Sequence, residues 1–179
     1  MTTTTQVALL RGINVGKSKR IAMGRLRELL GELGYADVRT HLQSGNAIIT
    51  SGRRPDRVAR EIARAIEREF GFDVEVVVRT KDELDAVIEA NPMPEHTDQP
   101  AKLLVAFLSA APKPDRIKKL DPAEFAPDEI HFSGREAYLY HPNGVIAAKI
   151  GPTFWEKHLG VSATTRNWTT VTKLASLAA

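Results

Sequence analysis

The sequence predicts an α+β protein built as a tandem pair of ferredoxin-like (α–β plait) domains, each with an extra C-terminal helix. Three observations support this prediction: the order of the predicted helices and strands, its repetition in the second half of the chain, and a proline-containing stretch between the halves. The predicted boundaries are residues 1–91 for the first domain, 92–101 for the linker and 102–179 for the second domain.

The first half alternates apolar strands with helices of 3.6-residue periodicity. The predicted elements are a strand at 6–11, a helix at 23–33, strands at 38–42 and 47–50, a helix at 55–70, a strand at 73–79 and a helix ending at Asn91. A capping box formed by Thr80 and Glu83 begins the last helix. The Gln43-Ser44-Gly45-Asn46 stretch between two strands predicts a hairpin turn. The first six elements therefore have the order of the split βαβ fold.

The second half repeats this order of elements without repeating the residues. The predicted elements are a strand at 103–108, a helix at 114–120, strands at 129–132 and 137–140, a helix at 154–159, a short strand at 161–164 and a final helix capped by Asn167. We interpret the repetition as a structural duplication.

Composition excludes several classes of protein. Apolar residues make up 42% of the chain and charged residues 26%, which is typical of a globular protein. Cysteine is absent, so a thiolate nucleophile, a disulfide framework and an iron–sulfur cluster are excluded. No apolar segment is long enough for a membrane span, and no signal peptide is evident at the start. The sequence predicts a soluble, cytoplasmic protein with no membrane partner.

Basic residues are concentrated at the two ends of the chain. Residues 1–30 carry six basic side chains and one acidic, and residues 137–179 carry four and one, whereas the segment between them has an excess of acidic residues. If the two ends meet in space, they form a surface that attracts anions. The alternative is chance clustering on a solvated surface.

Three polar segments stand out, at residues 11–17, 43–46 and 164–173. In the predicted sheet the first and third strands are antiparallel neighbours, which places residues 11–14 beside residues 43–46. The third segment is predicted to open a helix, whose N–H groups and partial positive charge suit an anion. The predicted ligand-binding residues are Arg11, Asn14, Gln43, Ser44, Asn46, Lys149, Thr165, Arg166, Asn167 and Lys173. Alternatively, Asn14 and Asn46 serve turns and Asn167 only caps a helix.

Other chemistries have little support in the sequence. The Gly12–Ser18 stretch is similar to a P-loop, but it has three residues instead of four between its first glycine and Gly-Lys-Ser. The five histidines lack the spacing of a metal site, so neither a metal nor a cofactor is predicted. No residue is identified as a base or nucleophile, which leaves open whether the protein is an enzyme.

The helix at 55–70 carries a row of arginines on one face. Arg57, Arg60, Arg64 and Arg68 are spaced to lie in line, as in a surface that follows a phosphate backbone. Glu61, Glu67 and Glu69 are interleaved with them, and this favours an ordinary solvated face.

The polar segments also carry a resemblance. The blocks at 11–16, 42–46 and 164–174 resemble the signature blocks of a largely bacterial family known as domain of unknown function 1697. The resemblance spans nearly the whole chain and is strongest at 7–51 and 145–175. It implies two tandem α–β plait domains and carries no established activity. Lys17 stands where the family usually has glycine, and Ala148-Lys149-Ile150 stands where it often has Ser-Lys-Leu. The lysine is therefore kept as a candidate cation and the hydroxyl is lost.

The leading hypothesis from the sequence is a protein that binds a small anionic or nucleotide-like ligand between its two domains. One alternative is a nucleic-acid-binding module that uses the basic ends and the arginine row. Another is a protein without a ligand, in which the polar segments only lock the domains together.

Overall fold

Two compact units make up the chain, and each contains its own four-stranded antiparallel sheet. The structure is a computed structural model that describes residues 2–179. Unit 1 contains the described residues up to Ala86 together with Lys173–Ala179, and unit 2 contains Val87–Thr172. The mixed α+β class is confirmed, and the arrangement is consistent with two domains.

Eight strands and six α-helices follow one another along the described residues. The elements that begin in unit 1 are β1 (Thr4–Leu10), α1 (Met23–Glu32), β2 (Ala36–His41), β3 (Asn46–Ser51), α2 (Pro55–Phe70), β4 (Val76–Thr80) and α3 (Lys81–Glu89). Those that begin in unit 2 are β5 (Leu103–Leu108), α4 (Pro114–Lys118), α5 (Pro122–Phe125), β6 (Glu129–Ser133), β7 (Glu136–Tyr140), β8 (Ala163–Asn167) and α6 (Trp168–Leu177). Among residues 2–179 no helix has the length and apolarity to cross a membrane.

The sheet of unit 1 has the strand order β2-β3-β1-β4, so β1 lies in its interior with an antiparallel partner on each side. Ala8 and Leu10 of β1 pack into a core with the buried faces of α1 and α2. Helix α2 forms because Pro55 presets its first turn and because its apolar residues recur on one stripe, including Val58 and Ile62.

The sheet of unit 2 has the equivalent order, β6-β7-β5-β8. Its core combines alternate residues of β5 with aromatic side chains, and Phe125 of α5 meets Phe154 edge-to-face at 5.1 Å between ring centroids. A π-helical turn at Trp155–Leu159 contributes Trp155 to the same core. The sequence predicted a helix over this segment.

Several predicted boundaries were wrong. The strand predicted at 161–164 is β8, which begins at Ala163 and continues to Asn167, because Thr165 and Arg166 pair with Ala106 and Val105 of β5. Thr165 and Arg166 therefore lie on a strand and not at the opening of a helix. Helix α3 ends at Glu89 instead of Asn91. Helix α5 and a 3-10 turn at Pro94–His96 were not predicted.

Each sheet carries one buried arginine at the same position. Arg79 on β4 lies opposite Val7 of β1, and Arg166 on β8 lies opposite Val105 of β5. Each guanidinium donates a hydrogen bond to the carbonyl of the preceding residue, at 3.1 and 3.0 Å. The residue that follows each arginine accepts a hydrogen bond from a backbone N–H three residues on. This agreement in register supports the structural duplication.

The turn between β2 and β3 lies directly against the end of β1. The backbone N–H of Leu10 donates to the carbonyl of Gly45 at 2.9 Å. Gly45 has a φ of 89°, and a Cβ atom there would lie 2.7 Å from Cδ1 of Ile13 and 2.9 Å from Cβ of Leu10. Only glycine fits this position without displacing its neighbours.

We therefore expect Gly45→Ala to lower the free energy of unfolding by about 2–4 kcal/mol, because it combines backbone strain with overpacking. Gly12→Ala is the matched control, since Gly12 also has a positive φ, 69°, but no atom of residues 2–179 lies within 4 Å of its added Cβ. That variant should cost only about 1 kcal/mol. Urea denaturation followed by circular dichroism measures both, and equal losses would contradict the close approach.

Candidate functional site

Asn14 closes the loop that joins β1 to α1. Its side-chain Oδ1 accepts a hydrogen bond from the N–H of Ile21 at 2.9 Å, and its Nδ2 donates to the carbonyl of Ile21 at 2.9 Å. Its own N–H donates to the carbonyl of Lys19 at 3.0 Å. Asn14 has a φ of 55°, a conformation that asparagine tolerates better than most residues. Asn14, at the start of the loop, thus binds the residues at its end and closes it.

The same asparagine joins this loop to the β2–β3 turn, since Nδ2 of Asn14 also donates to the carbonyl of Gln43 at 2.7 Å. This contact confirms that the end of β1 and the start of β3 bring residues 11–14 and 43–46 together. Within the turn, Nδ2 of Asn46 donates to the carbonyl of His41 at 2.7 Å and to Oγ of Ser44 at 3.1 Å. The amides of Asn14 and Asn46 therefore hold the backbone of the site in place.

An open cleft lies where the loop, the turn and the amino end of α1 meet. It has a volume of about 490 Å³ and is lined by Asn14, Arg20, Ile21, Ala22 and Gln43. Ala22 immediately precedes α1, provides no side-chain cap, and is followed by a first turn without an acidic residue. The first backbone N–H groups of a helix have no partners within it. The cleft therefore adjoins a helix end that favours negative charge.

Arg20 is the cation that lines the cleft. Its side chain is exposed and its Nη1 donates one hydrogen bond, to the carbonyl of Gly16 at 3.1 Å. Two nearby cations have other partners: Arg11 forms an ion pair with Glu75 at 2.9 Å, and Lys19 lies 3.7 Å from a carboxylate oxygen of Asp73. Arg11, which the sequence predicted as a ligand-binding residue, is thus neutralised by an acidic neighbour.

The remaining predicted residues are distributed over three elements. Thr165 and Arg166 lie on β8, Asn167 ends β8 and caps α6 through a hydrogen bond from the N–H of Thr170 at 2.9 Å, and Lys173 is exposed on α6. Lys149 lies in the segment after β7 with its side chain exposed. The structure accordingly confirms the helix-capping interpretation of Asn167, while a ligand role of these residues stays a prediction.

Arg166 is the most buried cation among the predicted residues. Only 9% of its surface is exposed, and burial lowers the pKa of its guanidinium to about 10. Thr164, two residues earlier, has a buried hydroxyl without a hydrogen-bond partner among residues 2–179. A cation and a hydroxyl withdrawn from water in this way are costly for folding unless their environment compensates.

Sequence reasoning missed two features. Arg20 was not singled out, because an arginine in a polar loop has no periodic pattern that marks it. Asp128 is a buried carboxylate whose Oδ2 accepts the N–H groups of Lys149 and Ile150, at 2.6 and 3.1 Å. Its Oδ1 lies 3.2 Å from Nδ1 of the buried His141. Asp128 is distant in sequence from these partners, so no local pattern marks it. Its hydrogen bonds to Lys149 and Ile150 show that the Lys149 segment is anchored through its backbone.

The fold and the cleft define an α+β protein of two sheet-containing units with a polar loop–turn site in the first. A family model described as "Protein of unknown function (DUF1697)" matches residues 3–138, and the chain belongs to this family. The matched region includes the blocks at 11–16 and 42–46. The block at 164–174 lies beyond it.

One solved structure extends the comparison to the whole fold. The chain is similar to the conserved bacterial protein SP0830 from Streptococcus pneumoniae, with a TM-score of 0.78 and 19% sequence identity, over 99% of this chain and 100% of that chain. At this identity the likeness concerns the fold alone. No curated protein matches the sequence.

We expect Asn14→Gly to loosen the loop without unfolding the sheet, because glycine accepts the positive φ of 55° but lacks the amide. Hydrogen exchange at the N–H of Ile21, which Oδ1 of Asn14 accepts, should accelerate by about 10- to 100-fold. Ser18→Gly is the control, since it adds a glycine to the same loop without removing the amide. Equal acceleration in both variants would mean that the amide does not hold the loop.

Proposed function

We propose that this protein binds a small anion in the cleft at the amino end of α1. The observation that carries the proposal is the lining of the cleft, which combines Arg20 with the amide residues Asn14 and Gln43. Of the described residues that line it, none is a carboxylate. A phosphate or carboxylate group could accept hydrogen bonds from the Arg20 guanidinium and from backbone N–H groups of the first turn of α1.

The positions of the loop and the turn support this proposal. Asn14 has both protons of its amide committed to the carbonyls of Ile21 and Gln43, so it positions the site instead of binding a ligand directly. Arg20 and the side chain of Gln43 are left as the polar groups that face an incoming anion. A site whose backbone is fixed before the ligand arrives loses less conformational entropy on binding.

We propose a ligand-binding role for the other residues that the sequence predicts, without assigning them to this cleft. They are Arg11, Ser44, Asn46, Lys149, Thr165, Arg166, Asn167 and Lys173. We also infer the ferredoxin-like plait for each unit, and the strand orders β2-β3-β1-β4 and β6-β7-β5-β8 support it. The domain boundaries at 1–91, 92–101 and 102–179 belong to the same proposal.

The alternative of a protein without a ligand has an observation in its favour. Asn14, Asn46 and Asn167 each form hydrogen bonds that close a loop, close a turn or cap a helix. Residues of this kind are needed for folding whether or not a ligand binds. The two candidates make different predictions for Arg20, because its exposed side chain bonds to Gly16 of its own loop and holds no distant element among the described residues in place.

A thermal-shift experiment with Arg20→Gln tests the proposal. Inorganic phosphate, pyrophosphate, citrate and nucleoside monophosphates would be added at two salt concentrations. An anion at 100 times its dissociation constant adds about 2.7 kcal/mol, which raises the melting temperature of a chain of this size by about 5 to 10 °C. We expect that rise in the natural protein and its loss in Arg20→Gln, with the melting temperature of the ligand-free protein unchanged.

Lys17→Gln is the matched control, because Lys17 is exposed in the same loop and the variant loses the same charge. An equal loss of the shift in both variants would mean that the anion responds to general charge and not to the cleft. The absence of a shift with every anion would leave the structural alternative as the better explanation.

A further inference from the structure

We propose that the exposed face of α2 binds the phosphate backbone of a nucleic-acid duplex, through an arginine row formed by Arg57, Arg60, Arg64 and Arg68. This surface is distinct from the cleft at α1 and does not depend on the anion proposed there. Arg57, Arg60, Arg64 and Arg68 are all exposed. The seven exposed residues of α2 are all charged, and four of them are arginines.

The arginine row has the geometry of a linear electrostatic contact. Arg60, Arg64 and Arg68 are spaced by four residues, so successive side chains lie on one face about 6 Å apart along the helix axis. Together with Arg57 they extend over roughly 16 Å. This length exceeds that of a single phosphate group and suits several consecutive phosphates of one strand.

The acidic residues of α2 leave most of this row without partners. Glu69 binds Arg25 of α1, with Oε1 of Glu69 2.7 Å from Nε of Arg25, and this hydrogen bond lowers the pKa of the Glu69 carboxyl. Glu61 binds Arg53 and Arg57, at 2.9 and 2.7 Å. The side chains of Arg60, Arg64 and Arg68 form no ion pair or hydrogen bond within residues 2–179. Besides Glu69, the exposed carboxylates of α2 are Asp56, at the start of the helix, and Glu67.

A network of buried and half-buried groups fixes the amino end of the row. Tyr35 donates its hydroxyl to Oε2 of Glu61 at 2.8 Å, and the Arg53 guanidinium lies over the Tyr35 ring, 5.1 Å from its centroid. Burial raises the pKa of Glu61. The hydrogen bonds from Arg57 and Tyr35 and the nearby arginine charges together outweigh this effect, so the pKa lies below its ordinary value. Glu61 therefore stays ionised and keeps both arginines in place.

The backbone at this end is held as well. Nε2 of Gln6, a residue that is 1% exposed, donates to the carbonyl of Arg53 at 2.8 Å. The N–H of Arg53 donates to Oγ of Ser51 at 3.0 Å. These contacts shape a cleft of about 490 Å³ whose lining includes Arg53, Arg54, Arg57 and Arg60 with Asp56 as its acidic member. The row thus begins in a preformed basic recess at the start of α2.

The charged surface favours a duplex over a single strand. Proteins that bind single strands stack the bases on aromatic side chains, whereas the exposed residues of α2 are all charged and offer no ring. Contacts of arginine with phosphate carry no sequence information. The proposed binding is therefore independent of sequence and weakens steeply with salt.

Fluorescence anisotropy of the full chain with two unrelated 20-base-pair DNA duplexes tests the proposal. Three to four phosphate contacts predict a slope of about −3 to −4 in log affinity against log salt, or about 100-fold weaker binding at 200 mM than at 50 mM KCl. We expect similar affinities for both sequences. In Arg60→Gln/Arg64→Gln, binding at 50 mM should fall at least about tenfold and the slope should shrink by about 2.

Lys118→Gln/Lys119→Gln is the matched control, since both lysines are exposed in unit 2 and the variant loses the same charge. Its affinity and slope should equal those of the natural protein, and circular dichroism melts should show all three proteins folded. An equal loss in both variants would overturn the proposal, because net charge alone would then explain the binding. No binding at 50 mM KCl, or pyrophosphate binding as tightly as the duplex, would also overturn it.

Discussion

The close approach of the β2–β3 turn to the end of β1 is the constraint on which the candidate site depends. β1 lies inside its sheet, so its final residue must meet the turn that begins β3. Gly45 permits that contact because it has no side chain, and Ile13 fills the space beside it. Asn14 then ties the following loop to the same turn through the carbonyl of Gln43. One packing contact thus explains why particular residues are needed in two blocks that are separated in the sequence, at the end of β1 and in the β2–β3 turn.

Sequence patterns predicted this part of the molecule well because its signals are local or topological. The apolar run of β1, the periodicity of α1 and the Ser-Gly-Asn turn each point to one element, and antiparallel pairing then brings their ends together. The β8 segment was less tractable, since Thr165, Arg166 and Asn167 have no alternation of polar and apolar residues that would mark a strand. Its strand conformation is evident from its backbone pairing with β5, which no local sequence pattern indicates.

Ion pairing on α2 shows a second limit of sequence reasoning. Spacing alone suggests that the glutamates of this helix neutralise its arginines, and the pair of Arg57 with Glu61 is confirmed. Glu69, however, binds Arg25, which lies 44 residues earlier in the sequence. The partner of a surface charge is decided by tertiary structure, so the number of uncompensated arginines could not be counted beforehand. The same holds at the α1 cleft, where Arg11 and Lys19 have acidic partners and the side chain of Arg20 bonds to a backbone carbonyl.

The closure of the β1–α1 loop by Asn14 has a consequence for protein engineering. Hydrogen bonds from Asn14, at the start of the loop, to Lys19 and Ile21, at its end, close the loop. The residues between Asn14 and Lys19 are therefore not needed to hold the sheet together. Val15, Gly16, Lys17 and Ser18 are all exposed. Doubling the length of a flexible loop costs only about 0.6 kcal/mol. A peptide tag or a recognition sequence could therefore be grafted there, with Asn14 and Ile21 serving as its fixed stem.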